Sequence, residues 1–448
     1  VNSTEQTVLD KQYQLTQGTA VIITDDSPLP ACFSYANQTS LCRPDDFFQL
    51  PLPTNPEQAH RVIYLFTLPN APLLQTLNFA RQLLAVDGIL LVPAQKRQQH
   101  RHLIALATRL GYACEETSSR QSDYMVLNQQ PAAKWQLSFA APPQRDNIRS
   151  LFLQVFQHPM SEELWHWKYA QGRGLAALGW KDQQLVAHYG GIRRDIYIAN
   201  QAATALQIGD VMVKSSERGV LTRKGLFFQL CATFLEQYIG DGKPYQLGYG
   251  FPTRRAMDVA QHQGLYRQVD HMREKQWPAL QTRASLFSAC QKLTAATDIR
   301  TQNKVNQLWQ CMLQDFNNAI IGVRDWNYLA HRYLAHPQKD YQIYLVSHRF
   351  TRQPLGVIVL SIEQSRCRLM DIIASTTHFA MLIHHARRLT HQFGAEQLFG
   401  WVTHSHQQHW PSEQEQALDM CIPTNTWTTS DQADQQQHSW WLTAGDTD

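Results

Sequence analysis

No two of the eight cysteines form a C-x-x-C pair; Cys32, Cys42, Cys114, Cys231, Cys290, Cys311, Cys367 and Cys421 are scattered along the chain. That spacing excludes a zinc ribbon or a disulfide framework and leaves them as small buried hydrophobes of a reducing compartment. Long hydrophobic runs are missing as well, since no stretch approaches the ~18 consecutive apolar residues of a spanning helix. The first residues, "VNSTEQTVLDKQYQLTQG", carry no basic-then-apolar export pattern. Charge of one sign is also lacking. Forty Lys and Arg against 37 Asp and Glu give a net +3, which supplies no global drive toward nucleic acid or anionic lipid. Histidine is plentiful at 19, yet "HSHQQH" (His404 to His409) has no carboxylate or cysteine at ligand spacing and reads as a polar loop. The expectation is a cytoplasmic enzyme or binding protein with no metal, membrane or nucleic-acid partner.

The chain has 448 residues, 43% of them hydrophobic and 17% charged, so it is globular, with room for about three domains at ~150 residues each. Residues 1–130 alternate apolar strand-like runs ("AVIIT", "RVIYLFTL", "DGILLVPA", "DYMVLNQ") with helical patterns from Leu74 to Leu84 and from about His100 to Leu110. This alternation predicts a small α/β layer with parallel strands. The span "HRVIYLFTLPNAPLLQTLNFARQLLAVDGILLVPA" resembles the latter half of a Rossmann-like methyltransferase fold, with a D-G turn leading into the next strand. No G-x-G-x-x-G follows the first strand, so the layer is expected to be a scaffold without a cofactor. "QQPAAKWQLSFAAPPQRDN", around residues 131–147, reads as a linker. Two further units, 148–285 and 286–448, match stepwise. "ELWHWKYAQ" pairs with "RDWNYLAHRYLAH", "AALGWKDQQLVAHYGG" with "YQIYLVSHRFTRQPLGVIVLS", "ALQIGDVMV" with "CRLMDIIAS", and "YQLGYGFPT" with "EQLFGWVTH". Each unit therefore reads helix, hairpin, strand, helix, strand, a pattern of duplicated domains rather than of a solenoid.

The segment richest in chemistry is "GDVMVKSSERGVLTRKGLFFQL", Gly209 to Leu230. An apolar strand through Val211 and Val213 runs into a turn holding Arg218, Gly219, Thr222, Arg223, Lys224 and Gly225. A helix follows whose buried face is expected to be Phe227, Leu230, Cys231, Phe234, Leu235 and Tyr238. The first turn of a helix has unpaired N–H groups and a dipole that favours an anion, and the glycines permit close approach while the cations add charge-assisted bonds. The pattern is a diphosphate seat.

With the hairpin before it and the strand "YQLGYGF", a helix and "GLYRQV" after it, this segment resembles the GNAT acyltransferase superfamily from about Leu151 to Met272, and the last unit does so more faintly. The resemblance implies an α/β chain of GNAT-type mixed sheets: a partial Rossmann-like layer followed by tandem acyl-CoA N-acyltransferase-like domains. The implied cofactor is acetyl-CoA or another acyl-CoA, its diphosphate on the turn and its pantetheine arm between the strand of Val211 and Val213 and the strand Leu247 to Phe251. The implied partner is a small-molecule amine acceptor. Thr222-Arg223-Lys224-Gly225-Leu226-Phe227 matches the family's Q/R-x-x-G-x-G/A turn only at Gly225, so Arg218 and Gly219 are expected to complete the seat. Many members carry a tyrosine as the acid for the leaving thiolate where this chain has Ala260. Tyr266 and His262 are the nearby candidates for that role, and Asp210 is a candidate base or water-orienting group. Each also has a structural alternative: Tyr266 as a core aromatic, His262 as a surface residue, Asp210 as a partner for backbone or arginine. Trp165, Trp167 and Tyr169 are candidates to shape an acceptor pocket. In the last unit "ASTTHFAMLIHHARRL" has neither glycine nor cation before its helix, so that copy is expected to hold no diphosphate. An acyl-CoA-dependent N-acyltransferase is the leading expectation; a non-catalytic acyl-CoA-binding protein is its alternative, and methyltransfer a distant third.

Overall fold

A computed structural model describes residues 19–24, 38–54, 58–65, 68–69, 71–93, 97–115, 124–129, 133–141, 144–219, 222–240, 242–282, 286–412, 414–428 and 438–447. The chain divides into two compact units, Val1–Ala141 with Ala177–Val186, and Pro142–Ala176 with Ala187–Asp448. Among the described residues no helix is long and apolar enough to cross a membrane.

In the first unit β1 (Thr19–Ile23), β2 (Gln38–Cys42), β3 (His60–Leu65) and β4 (Leu84–Pro93) are parallel, and β5 (Tyr112–Glu115) and β6 (Tyr124–Gln129) close the sheet in the order β2-β1-β3-β4-β6-β5, with β6 antiparallel to both neighbours. Helix α1 (Leu73–Leu83) buries Leu74, Leu77, Ala80 and Leu83, the three- and four-residue spacing visible in the sequence. Helix α2 (Arg97–Arg109) precedes β5, and Tyr112 donates its hydroxyl to the Leu77 carbonyl at 2.9 Å. Asp87 and Gly88, expected as a turn, lie inside β4, where pairing with β3 jumps from His60↔Leu84 to Val62↔Ile89; the extra residues are absorbed as an irregularity in the strand. Residues 25–37, which follow β1 after Thr24 and where a phosphate-binding turn would stand, are outside the described residues. The segment read as a linker contains β7 (Gln136–Phe139), antiparallel to β8 (Gly174–Lys181) and tied to it by Trp180 Nε1 donating to Ser138 Oγ at 2.9 Å. Helix α3 (Arg145–Phe156) starts at the end of the same segment. Asp182 and Gln183, both at positive φ, form the two-residue turn from β8 into β9 (Gln184–Ile198), the backbone a tight hairpin requires.

The second unit holds α4 (Glu162–Tyr169), β10 (Gln201–Val213), α5 (Leu226–Tyr238), β11 (Leu247–Gly250), α6 (Arg254–His262), β12 (Tyr266–Pro278), β13 (Ser288–Lys292), α7 (Ile299–Asp315), β14 (Ala319–Gly322) and α8 (Trp326–Leu329), which runs into a π turn at Ala330–Leu334. There follow β15 (Tyr341–His348), β16 (Pro354–Glu363), β17 (Arg366–Ile373), α9 (Phe379–Gln392), β18 (Gln397–Thr403), β19 (Gln414–Asn425) and β20 (Ser439–Trp441). One sheet runs β11-β10-β9-β14-β20 and the other β13-β15-β16-β17-β18-β12-β19. In both, an antiparallel pair leads to a central strand that is parallel to the strand after the next helix: β10 with β11, and β17 with β18. The two matched stretches exchange strands. β12 follows α6 in the chain yet lies between β18 and β19, while β14 and β20 pair beside β9 through Ile320↔Ile198 and Ile320↔Trp440. The boundary at residue 285 thus falls inside one compact body, because each sheet is completed by strands from the other stretch.

The end of the described chain is buried against β17. Thr443 caps a short 3-10 turn, its hydroxyl and the Asp446 carboxylate bonding back in a capping box. Fully buried Arg324 donates through Nε to both oxygens of Asp371 (3.0 and 3.1 Å) and through Nη2 to Asp446 at 2.5 Å. Arg332 donates to the carbonyls of Gly445 (2.8 Å) and Thr447. A Cβ on Gly445 would overlap the Tyr333 hydroxyl and meet Asp371 Oδ2 and the Met370 carbonyl at 3.1 Å. Gly445→Ala is therefore expected to destabilise the fold by about 1–3 kcal/mol, the cost of overpacking, and to lower Tm in a thermal melt. An unchanged Tm would contradict the tight fit of this segment.

Candidate functional site

The site starts from an irregularity in β10. Pairing with β9 runs to Gly209↔Gly190 and resumes at Met212↔His188, so Asp210 and Val211 together face Tyr189: a β-bulge, with Asp210 at φ +49°. Glycines let the strands close around it. A Cβ on Gly190 would come within 2.5 Å of His188 and 3.0 Å of the Gly209 carbonyl, and one on Gly250 within 2.9 Å of the Ile208 carbonyl. The His188 ring, buried and kept neutral because burial lowers its pKa, donates from Nδ1 to the Asp210 carbonyl at 2.7 Å. Pairing between β10 and β11 ends at Ile208↔Gly250, although β10 continues to Val213. Where the strands part lies a cavity of about 580 Å³, walled by Gly209, Asp210 and Val211 on one side and by Gly250 to Thr253 on the other.

The Asp210 carboxylate is held from α4. Lys168 Nζ reaches both of its oxygens at 3.0 and 2.9 Å, and the Tyr169 hydroxyl donates to Oδ2. Ser161 caps the start of α4 by accepting from Leu164 N, and Trp165 packs edge-on to Tyr169 at 4.9 Å between ring centres, so the last turn of a short helix delivers both groups. The second stretch repeats the design. Arg332 and Tyr333 follow α8, and the Tyr333 hydroxyl donates to Asp371 at 3.2 Å. There, however, Asp446, Gly445 and Thr443 of the chain itself sit against β17, and Thr443 bridges to Val402 of β18.

After β10 the turn is built as much for structure as for display. Arg218 Nε donates to the Val213 carbonyl at 2.7 Å; Arg223 Nε donates to the Gln263 carbonyl at 3.2 Å, and its guanidinium lies 5.4 Å from the Trp427 ring centre. Thr222 Oγ1 accepts from Lys224 N, and the Thr222 carbonyl from Gly225 N at 2.9 Å. Gly219 is at φ +104° with open space where a Cβ would stand. Gly225 is the N-cap of α5, with no side chain to satisfy the following N–H groups. Arg218, Gly219, Thr222, Arg223 and Lys224 are exposed and lie outside the cavity lining; Val220 and Leu221 are outside the described residues. Helix α5 buries Leu230, Cys231, Phe234 and Leu235 as expected, while Phe227 turns to the cavity.

Of the residues singled out from sequence, the cavity brings together Asp210, Val211 and Tyr266. His262 is exposed on α6, its Nδ1 2.6 Å from the Asp258 carbonyl one turn back, and it does not line the cavity. The Val213 carbonyl is taken by Arg218. Ala260 does line the cavity, and Tyr266 there bonds hydroxyl to hydroxyl with Tyr189 at 2.5 Å. Sequence reasoning missed Lys168, His188 and Tyr189; the shared Lys-Tyr and Arg-Tyr pairs in "HWKYA" and "AHRYL" were the available signal for the first. At the helix start of the second stretch a carboxylate of the chain itself is in place: Asp315 Oδ2 accepts from Ser375 Oγ (2.8 Å), Thr376 N (2.7 Å) and Thr376 Oγ1 (3.1 Å). Among the described residues no group of three His, Cys, Asp or Glu side chains is placed to hold a metal ion.

Breaking the Lys168–Asp210 pair tests this construction. Lys168→Met strands a nearly buried carboxylate, and a loss of about 3 kcal/mol is expected in denaturant unfolding, of which the added change Asp210→Asn restores at least half. No loss, or no rescue, would mean that the pair does not hold the bulge.

Residues 140–257 match the acetyltransferase (GNAT) domain family, a span that includes α3, α4, the bulge, the turn and α5. Among solved structures, a probable N-acyltransferase from Enterococcus faecalis is similar with a TM-score of 0.51 at 12% identity, covering 66% of this chain and 72% of its own. A GCN5-related N-acetyltransferase from Anabaena variabilis has a TM-score of 0.49 at 12% identity, with 65% and 73% covered. Saccharomyces cerevisiae N-myristoyltransferase with bound myristoyl-CoA has a TM-score of 0.43 at 10% identity, with 64% and 82% covered. No curated protein matches the chain in sequence. Residues 140–257 thus match the GNAT acetyltransferase domain family, and the mixed α/β fold is shared with the Enterococcus faecalis structure.

Proposed function

We propose that the chain is an acyl-CoA-dependent N-acyltransferase that moves an acyl group from CoA to a small-molecule amine, with one cofactor site per chain. The observation that carries this reading is the parting of β10 and β11 at the Asp210–Val211 bulge, beside a helix whose N-terminus follows a basic, glycine-bearing turn. In this reading the pantetheine arm of acetyl-CoA or a longer acyl-CoA lies in the cavity between the strands. Main-chain groups of Val211 face that arm, and a bulge amide polarises the thioester carbonyl, an oxyanion-type contribution; Val213, expected to join it, has its carbonyl taken by Arg218 and stands outside the cavity lining. The diphosphate sits on the N-terminal amides of α5, with Gly219 and Gly225 allowing approach and exposed Lys224 adding charge; Thr222, Arg218 and Arg223 shape the turn. Lys168 and Tyr169 fix Asp210 at the cavity wall, where its carboxylate orients the incoming amine.

The second stretch is assigned no cofactor. The Asp315 carboxylate already occupies the helix start where a diphosphate would bind, and Thr443 to Asp446 lie against the strand equivalent to β10. Without glycines or cations, a bare helix N-terminus adds only about 0.3–1 kcal/mol of anion binding. The alternative reading, an acyl-CoA-binding protein without turnover, draws on Ala260 at the place where many relatives carry an acid and on the ion pair that engages Asp210.

Calorimetric titration with acetyl-CoA and octanoyl-CoA, followed by thiol release over a panel of amines, tests the proposal. One site per chain with amine-dependent thiol release is expected. Two comparable sites would remove the assignment of a blocked second stretch, binding without release across the panel would favour the non-catalytic reading, and no binding would overturn both.

A further inference from the structure

The acyltransferase reading leaves the acyl group unnamed, and the cavity walls bear on it. At the mouth Phe156, Val211 and Ala256 are exposed; farther in, Met257, Ala260 and Pro423 are buried. These inner walls belong to α6 and β19, not to the two strands that part at the bulge. From α6 the cavity receives two methyl groups one turn apart, Ala256 and Ala260, and between them the unbranched chain of Met257. Small side chains leave room, and a methionine adapts its shape to whatever fills that room; Met420 on β19 is a second one.

The polar side chains along the same walls are paired within the chain. Asp210 is held by Lys168 and Tyr169. Gln207 lies between Arg194 Nε and the Asp446 carbonyl, both at 2.7 Å. Thr447 donates its hydroxyl to the Ala444 carbonyl at 2.8 Å, and Tyr189 and Tyr266 bond to each other at 2.5 Å beside the Cys231 thiol. Thr253 caps α6 at the exposed rim. A ligand group with a hydroxyl, an amide or a charge therefore loses its hydration on entering and finds the side chains of the interior already paired. A hydrocarbon loses nothing of that kind, and each methylene buried against the inner walls strengthens binding by about fourfold.

Size points the same way. The cavity of about 580 Å³ lies within the ~300–1,000 Å³ of pockets that enclose a whole small ligand, whereas an acetyl thioester extends a single methyl beyond its carbonyl. Building on the acyltransferase reading, we infer that the acyl group is an unbranched hydrocarbon chain of medium length rather than acetyl or a dicarboxylic acyl group, and that Ala260 and Met257 set its length. With the thioester carbonyl at the bulge, such a chain covers the buried surfaces of Met257, Ala260 and Pro423, which an acetyl group leaves to water. The transfer is the same for any chain: the C–N bond forms, the C–S bond breaks with its electron pair on sulfur, and the proton lost by the amine ends on the CoA thiol.

Calorimetric binding of acetyl-, butanoyl-, octanoyl-, dodecanoyl- and succinyl-CoA to the full chain, with thiol release followed over the amine panel, tests this. Octanoyl-CoA is expected to bind about 30-fold or more tightly than acetyl-CoA. Butanoyl-CoA should bind about tenfold or more tightly than succinyl-CoA, which matches it in length but ends in a carboxylate. Ala260→Leu fills the space beside Met257 and should lower the octanoyl-to-acetyl preference by about tenfold or more, while Met257→Ala opens the wall and should move the preferred length toward dodecanoyl-CoA. Acetyl-CoA bound as tightly as octanoyl-CoA, succinyl-CoA as tightly as butanoyl-CoA, or a length preference that neither substitution moves would overturn the inference, and Met257→Ala tests the wall if Ala260→Leu does not fold. A failure of the underlying reading looks different: the unchanged protein would then bind none of these compounds, or bind them in the expected order and release no thiol.

Discussion

The site depends on how the chain keeps a bulge open at Asp210. A bulge alone leaves two residues facing one and weakens the ladder; here a lysine, a tyrosine and a histidine hold it. The ion pair is nearly buried, so desolvation works against its Coulomb gain, and its value lies in fixing one backbone geometry rather than in net stability. Asp210, locked at positive φ, lies two residues past the last pair of β10 with β11. The cavity, the direction of the bulge amides and the line toward the turn all follow from that.

The second stretch shows the same design carried to another end. Tyr333 meets Asp371 as Tyr169 meets Asp210, but Arg324 draws in Asp446 and the strand is covered by the chain itself. The helix start that would draw an anion instead receives Asp315. The covering segment also touches the open site, since the Asp446 carbonyl accepts from Gln207 and Thr447 lines the cavity. The second stretch thus supplies a wall of the site that it does not itself repeat, and strand exchange through β12, β14 and β20 makes the two inseparable.

Much of this was legible along the chain and some was not. Helix α1 was expected at Leu74 to Leu84 and forms at Leu73–Leu83, and α5 buries four of the six residues expected on its face, because both reflect local periodicity of 3.6 residues. The strand at Val211, the hairpin before it and the basic turn were equally local. The bulge was hidden, since Asp210 takes a left-handed conformation without the glycine that usually announces one. Lys168 and Tyr189 were hidden for a different reason: their partners lie 42 and 77 positions away, and only the fold joins them. Arg218 and Arg223 were expected to meet an anion, but their bonds to the carbonyls of Val213 and Gln263, which brace the turn, could not be read from sequence. Residues 131–147 have linker-like composition, yet an edge strand of four residues needs little sequence signal once β8 offers it a partner.

The account is tested most directly by a crystal structure of the chain with acetyl-CoA or a non-hydrolysable acyl-CoA. Pantetheine density between Ile208–Val211 and Gly250–Thr253, with the diphosphate at the start of α5, is the predicted result. A cofactor seated against β17 and α9, or one that leaves the cavity at the Asp210 bulge empty, would contradict it.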